Sequence, residues 1–174
     1  MPSKKVSSFV PEGYKVSTGG SDFFTPVAGD NKFRILTDSI VGKEGWKDNK
    51  PFRRAGLDAH IDADEVDMDE KTKKPKIKDF MAFYIFDHAD NKIKVASFTQ
   101  AGVKKAIMNY AAEEDYGHPT GYDLKLNKSG DGLLTKYAVT PSVPKPLSAA
   151  AQKEVDIASE FFDLEGALGI ETNS

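Results

Sequence analysis

The run Asp79 to Asp87, DFMAFYIFD, constrains this chain more than any other stretch. It is apolar at both its odd and its even positions, the pattern of a strand covered on both sides. Met81, Phe83 and Ile85 make one face, and Phe80, Ala82, Tyr84 and Phe86 the other. One face must be core. The other lines a groove or meets a second layer.

The remaining elements arrange themselves around it. Asn31 to Val41, NKFRILTDSIV, reads as the first strand, with Phe33 and Ile35 on one side and Lys32 and Arg34 on the other. Gly42 to Gly56 is a loop or hairpin. His88 to Asn91 is a turn, and Lys92 to Phe98 the return strand. Thr99 is positioned to cap a helix in which Val103, Ala106, Ile107 and Tyr110 repeat at i, i+3, i+4, i+7. A hairpin follows. Tyr122, Leu124 and Leu126 alternate with polar residues, Ser129 to Gly132 turn the chain, and Leu134 to Thr140 returns. The expected fold is mainly β, with a helix between strands three and four of a five-stranded antiparallel sheet. That is the layout of the OB-fold, a Greek-key barrel that binds oligonucleotides across one face. Residues 30–147 form this domain, with 58–78 as a charged excursion. Residues 1–29 are an N-terminal arm whose Phe9, Tyr14, Phe23 and Phe24 can dock on the body, and 148–174 an acidic tail.

Charge is segregated. The formal net charge of the 174 residues is -3. Residues 58–70 hold seven carboxylates and no Lys or Arg, and 152–174 hold six carboxylates against Lys153. Set aside, these two segments leave a strongly basic body. There are no cysteines, which excludes disulfides, thiol catalysis and Cys-ligated zinc. No apolar run approaches the ~20 residues of a membrane span. The N-terminus lacks an apolar signal core, so a soluble, cytoplasmic protein is expected.

A basic body with surface aromatics suits a flexible polyanion with stackable bases. The sole tryptophan, Trp46, sits among Lys43, Lys47, Lys50, Phe52, Arg53 and Arg54. Stacking of a base on such a ring is worth ~1–3 kcal/mol, while cations track the phosphates. Lys32, Arg34, Lys94, Lys125, Lys128 and Lys136 are further phosphate contacts on the strands. Tyr84 and Tyr137 are further stacking surfaces. No Ser-His-Asp set, phosphate loop or nucleophile elbow is present, so no catalytic residue is expected. The segment from Asp62 fails the EF-hand pattern, since Val66 and Asp67 fall where an acid and Gly are needed. It reads as a solvated, mobile loop, and neither metal nor cofactor is expected. His60, His88 and His118 read as surface or turn residues. In the tail, Phe161, Phe162, Asp163 and Leu164 form a short anchor for a partner's groove, or pack on the domain or a neighbouring subunit.

Gly121 to Ser148 carries Gly-Tyr-Asp, a lysine-bearing strand, Ser-Gly-Asp-Gly, Thr-Lys-Tyr-Ala-Val-Thr-Pro and Pro-Lys-Pro-Leu. With Gly29 to Leu36 and the layout of Phe80 to Tyr110, it resembles the bacteriophage single-stranded DNA-binding proteins built on an OB-fold. The resemblance spans about two-thirds of the chain. It implies sequence-independent coating of single-stranded DNA in phage replication, recombination or repair. It also implies a tail that recruits replication proteins and competes with DNA for the groove, and it leaves room for a homo-oligomer. Some relatives carry zinc between the first and central strands. Here that region is the cysteine-free acidic excursion, so zinc is not carried over. An OB-like protein-interaction adaptor, or a metal-dependent nuclease using the acidic segment, are the alternatives.

Overall fold

The computed structural model describes residues 22–170. Phe9 and Tyr14, expected to dock the arm, lie outside them. Among the described residues there are seven strands: β1 (Gly29–Ile35), β2 (Ile40–Lys47), β3 (Lys50–Ala55), β4 (Ile77–Asp87), β5 (Lys92–Phe98), β6 (Asp123–Ser129) and β7 (Lys136–Pro141). The α-helices among the described residues are α1 (Ala101–Ala112), α2 (Ala149–Ser159) and the short α3 (Leu164–Ala167).

β4 is the centre of one open antiparallel sheet. The order is β3-β2-β4-β1-β6-β7, with β5 along the other flank of β4. The expected count of five strands is therefore corrected to seven, for two reasons. The predicted first strand breaks at Leu36–Ser39 into β1 and β2, which share one edge of β4. β1 pairs near Ile85–Asp87 and β2 along Ile77–Ala82. The break is stitched to β4: the Leu36 amide donates to the Tyr84 carbonyl at 2.9 Å, and the Tyr84 amide to Thr37 Oγ1 at 3.2 Å. Second, Gly42 to Gly56 belongs to a true hairpin. Its turn, Asp48-Asn49, holds both residues at positive φ (52° and 63°), the backbone of a type I′ turn. Asp and Asn tolerate that region better than most L-residues.

The two faces of β4 acquire different covers. Met81, Phe83 and Ile85 enter the main core with Phe33, Ile35, Ala96, Phe98, Tyr122, Leu124, Leu126 and Val139. Helix α1 closes that side through Val103 and Ile107, and Tyr110 Oη donates to the Val139 carbonyl at 3.0 Å. Gln100, not the expected Thr99, is the α1 N-cap, and it makes no side-chain cap bond. On the opposite face, Phe80, Ala82 and Tyr84 pack with Val95 and Leu168, flanked by Phe162, Leu164 and Ile170. Phe86 meets Ala151 and Val155 of α2. The acidic tail is thus the second layer of the sheet.

The excursion is folded, which corrects the expectation of a solvated loop. Ile61 and Val66 are buried, and a one-turn 3-10 helix spans Ala63–Glu65. Backbone bonds run from Asp67 to the Trp46 carbonyl (2.9 Å) and from Trp46 to the Lys76 carbonyl (3.2 Å). The approach is close enough to require glycine at Gly45. A Cβ there would lie 2.8 Å from both the Phe52 ring and Val66 Cγ1. At the other end of the chain, Asp22 and Phe24 bond the backbone of Val95, and the Phe24 ring packs 5.3 Å from Phe33.

One buried charge cluster ties the exit of β7 to the sheet. Arg34, only 2% exposed, donates to Asp123 at 2.9 Å and to the carbonyls of Thr120 and Lys145 at 3.3 and 2.8 Å. His88 joins Asp123 at 2.9 Å. Burial pushes the Asp123 carboxyl up, but the His88 hydrogen bond and the Arg34 and His88 charges outweigh it and hold it below its ordinary value. Asp123→Asn leaves Arg34 buried without its counter-charge and is expected to cost about 3–5 kcal/mol, read as a lower urea midpoint. A lowered carboxylate stabilises above its unfolded value of about 4 and loses this as pH falls through its folded value. The gap between the parent and variant chains should therefore narrow on acidification.

Candidate nucleic-acid interface

Side chains alternate along a strand, and the registers show which residues share a face. Glu44 of β2 lies opposite Lys78 of β4, and Gly42 opposite Phe80. Glu44 and Trp46 of β2, Arg53 of β3, and Lys78, Phe80, Ala82, Tyr84 and Phe86 of β4 therefore share one face. Through the registers of β1, β6 and β7, Lys32, Lys125 and Lys136 fall on that same face, beyond the buried pair of Arg34 and Asp123. All three are exposed, and Lys32 is within 3.8 Å of Asp123. The face reads from one end as indole and lysines, then an aromatic strip, then lysines again.

Several residues expected to bind DNA are engaged elsewhere. Arg34 is buried and bonded to internal partners, which leaves it no access to a phosphate, contrary to expectation. Lys94, also expected to contact phosphate, is instead paired with Asp87 at 2.9 Å and Asp90 at 2.8 Å. Tyr137 turns towards the main core, where it packs half-buried, with half-buried Lys128 opposite it on β6. This corrects the expectation of a groove-facing ring.

The reverse face of the β2–β3 hairpin is neutralised by the acidic excursion and its neighbours. Arg54 bonds both carboxylate oxygens of Glu65, at 2.9 and 2.6 Å, and its guanidinium lies 5.4 Å over the Phe52 ring. The Arg54 hydrogen bond, with help from the Asp62 amide, lowers the Glu65 carboxyl to about 2. Lys47 pairs with Asp67 at 3.7 Å, and Lys43 bonds Asp79. Lys50, at the hairpin tip, is exposed and forms no ion pair among the described residues. On the aromatic face Arg53 bonds Glu44 at 3.1 Å and the Leu168 carbonyl of the tail at 3.2 Å.

The aromatic strip is occupied by the chain itself. Phe162 stacks on Tyr84 with ring centroids 4.1 Å apart and planes 12° from parallel. The Tyr84 hydroxyl accepts from the Asp163 amide at 3.1 Å, and Tyr84 is 1% exposed. The predicted anchor is thereby divided. Phe162 and Leu164 point into the sheet, Asp163 caps α3 by accepting from the Gly166 amide, and Phe161 stays 70% exposed.

The open end of the strip holds residues that local reading passed over. Trp46, 38% exposed, borders a cleft of about 560 Å³ with Lys74, Lys76, Lys78, Thr72, Pro75, Ile77 and Asp69. These lysines belong to the basic end of the 58–78 excursion, and β4 starts at Ile77, two residues before the expected Asp79. The alternation Lys76-Ile77-Lys78 was the available signal, because it continues the β4 pattern two residues further. Among the described residues no three His, Asp or Glu converge to hold a metal ion. None of the described helices is long and apolar enough to cross a membrane.

If the tail is a lid, loosening it should bare Tyr84. Phe162→Ala removes a ring contact worth ~0.5–1.5 kcal/mol beyond its burial. Tetranitromethane should then nitrate Tyr84 several-fold faster than in the parent chain, as read by peptide mass spectrometry. Comparison with family models, and with curated proteins, returned no match.

Proposed function

We propose that the protein is a non-enzymatic, sequence-independent binder of single-stranded DNA, acting in the cytoplasm in phage replication, recombination or repair. The reading rests chiefly on one observation: the aromatic strip of β4 is covered by an acidic segment whose Phe162 lies on Tyr84 as a stacked base would. Five exposed carboxylates, at Glu154, Asp156, Glu160, Asp163 and Glu165, accompany that ring as phosphates accompany bases. Lysines flank the strip at both ends. DNA would take the face by displacing the tail.

The fold supports the reading at a finer level. With the β2–β3 hairpin set aside as an outgrowth, β1, β4, β5, α1, β6 and β7 run in the order of an OB-fold, itself a partly open barrel. In OB-folds the face of the second and third strands takes oligonucleotides. Those strands correspond here to β4 and β5. Once released, the tail presents Phe161, Phe162 and its carboxylates to a replication protein with a basic, apolar groove.

Anisotropy titrations with labelled oligo-dT and with duplex DNA at two salt concentrations test this. Single strands should bind more tightly, and log affinity should fall linearly with log salt as counterions are released. Phe162→Ala should tighten binding about 2- to 10-fold, the equivalent of the lost ring contact. Absence of single-strand binding at low salt, in both the parent and Phe162→Ala chains, would overturn the proposal.

A further inference from the structure

The cations of this chain are not treated alike. Arg34, Lys43, Lys47, Arg53, Arg54 and Lys94 each have a carboxylate partner. Lys74, Lys76 and Lys78 form no ion pair among the described residues, yet all three line the cleft beside the only tryptophan. Leaving three like charges together is electrostatically unfavourable unless something else compensates them. The remaining charge in the cleft, Asp69, accepts the amides of Lys71 and Thr72 at 2.8 and 3.0 Å in its own loop and, through its attraction to Lys76, offsets only part of this.

The indole is held rather than loose. Its Nε1 donates to Glu44 at 3.1 Å, and Glu44 is itself buried and clamped by Arg53. Its backbone is bonded on one side to Lys76 and on the other to Asp67. A ring fixed at its edge, with one side facing a cleft, loses little freedom when a flat ligand stacks on it. The tail makes its contacts further along the face, at Arg53 and Tyr84. The cleft therefore does not need the tail to move.

We propose that this cleft is a nucleotide-binding entry subsite, which takes one base against Trp46 and the flanking phosphates on Lys74, Lys76 and Lys78. It stays open while the tail is docked, so single-stranded DNA engages it first and reaches Tyr84 only afterwards. This rests on the DNA-binding reading above and adds an order of events and three residues to it.

Because Trp46 is the sole tryptophan, its emission reports the subsite alone. The probes are the trinucleotide (dT)3 and its abasic counterpart, titrated into the full chain. Saturable quenching by (dT)3 is expected, with little from the abasic probe. Apparent affinity for (dT)3 should drop at least tenfold in Lys76→Ala/Lys78→Ala, and about threefold or more in Lys74→Ala, whose loop position leaves the strand intact. Phe162→Ala should leave (dT)3 quenching unchanged, because the subsite does not depend on the lid. If (dT)3 leaves Trp46 emission unaltered while a long oligo-dT binds the Phe162→Ala chain tightly, the entry subsite is refuted and the wider reading stands. If Phe162→Ala is required before (dT)3 quenches, the proposed order is refuted. If no oligonucleotide binds either chain, both fall together.

Discussion

Everything in this structure follows from a central strand that is apolar on both sides. β4 cannot leave either face to water, since burying rings such as Phe80, Tyr84 and Phe86 is worth roughly 1.5–3 kcal/mol for a fully buried large apolar side chain. One face is satisfied conventionally by α1 and the β1, β6 and β7 side of the sheet. The other is satisfied by a segment that carries far more charge than a core element needs. The chain covers its stickiest surface with Phe162, Leu164 and Leu168, mounted on an acidic backbone-and-carboxylate frame. That cover keeps its apolar side chains against the strand and its carboxylates in water.

Electrostatics then divides the rest of the surface. The excursion at 58–78 is a counter-charge built into the fold, and it pairs Lys47 and Arg54 on the reverse of the β2–β3 hairpin. Surface ion pairs of this kind contribute little stability, ~0–1 kcal/mol each. Their effect is on the surface field: they neutralise much of one face and leave cations on the other, Lys74, Lys76 and Lys78 at one end and Lys32, Lys125 and Lys136 beyond Arg34. A net charge of -3 is compatible with this arrangement because it sums over regions that do opposite things.

The elements that sequence reading located are those whose signal is local. The double-sided run of β4, the alternation through Leu124 and Leu126, and the helical repeat from Val103 to Tyr110 each depend on neighbours a few residues away. What escaped was set by distant partners. Arg34 alternates like a solvent-facing strand residue, and only Asp123, 89 positions along the chain, makes it a buried one. The pattern around Tyr84 suits a groove and a second layer equally. The layer that covers it comes from 79 residues away. The acidic excursion looks like solvent-loving loop because its two anchors, Ile61 and Val66, are isolated apolar residues in a charged run. Trp46 stands out in the sequence as the sole tryptophan of a basic stretch, but the lysines at 74, 76 and 78 beside it do not, because antiparallel pairing and not chain proximity brings them together.

The claim on which the functional account turns is that nucleic acid and the tail exclude one another from the β4 face. Amide hydrogen exchange across residues 160–168 of the intact chain measures this directly, with and without saturating oligo-dT. In the free chain the amides of Asp163, Ala167 and Leu168 are hydrogen-bonded and should be protected. The account predicts that DNA strips that protection while β4 and β5 keep theirs. Tail amides that stay as protected in the complex as in the free chain would contradict it.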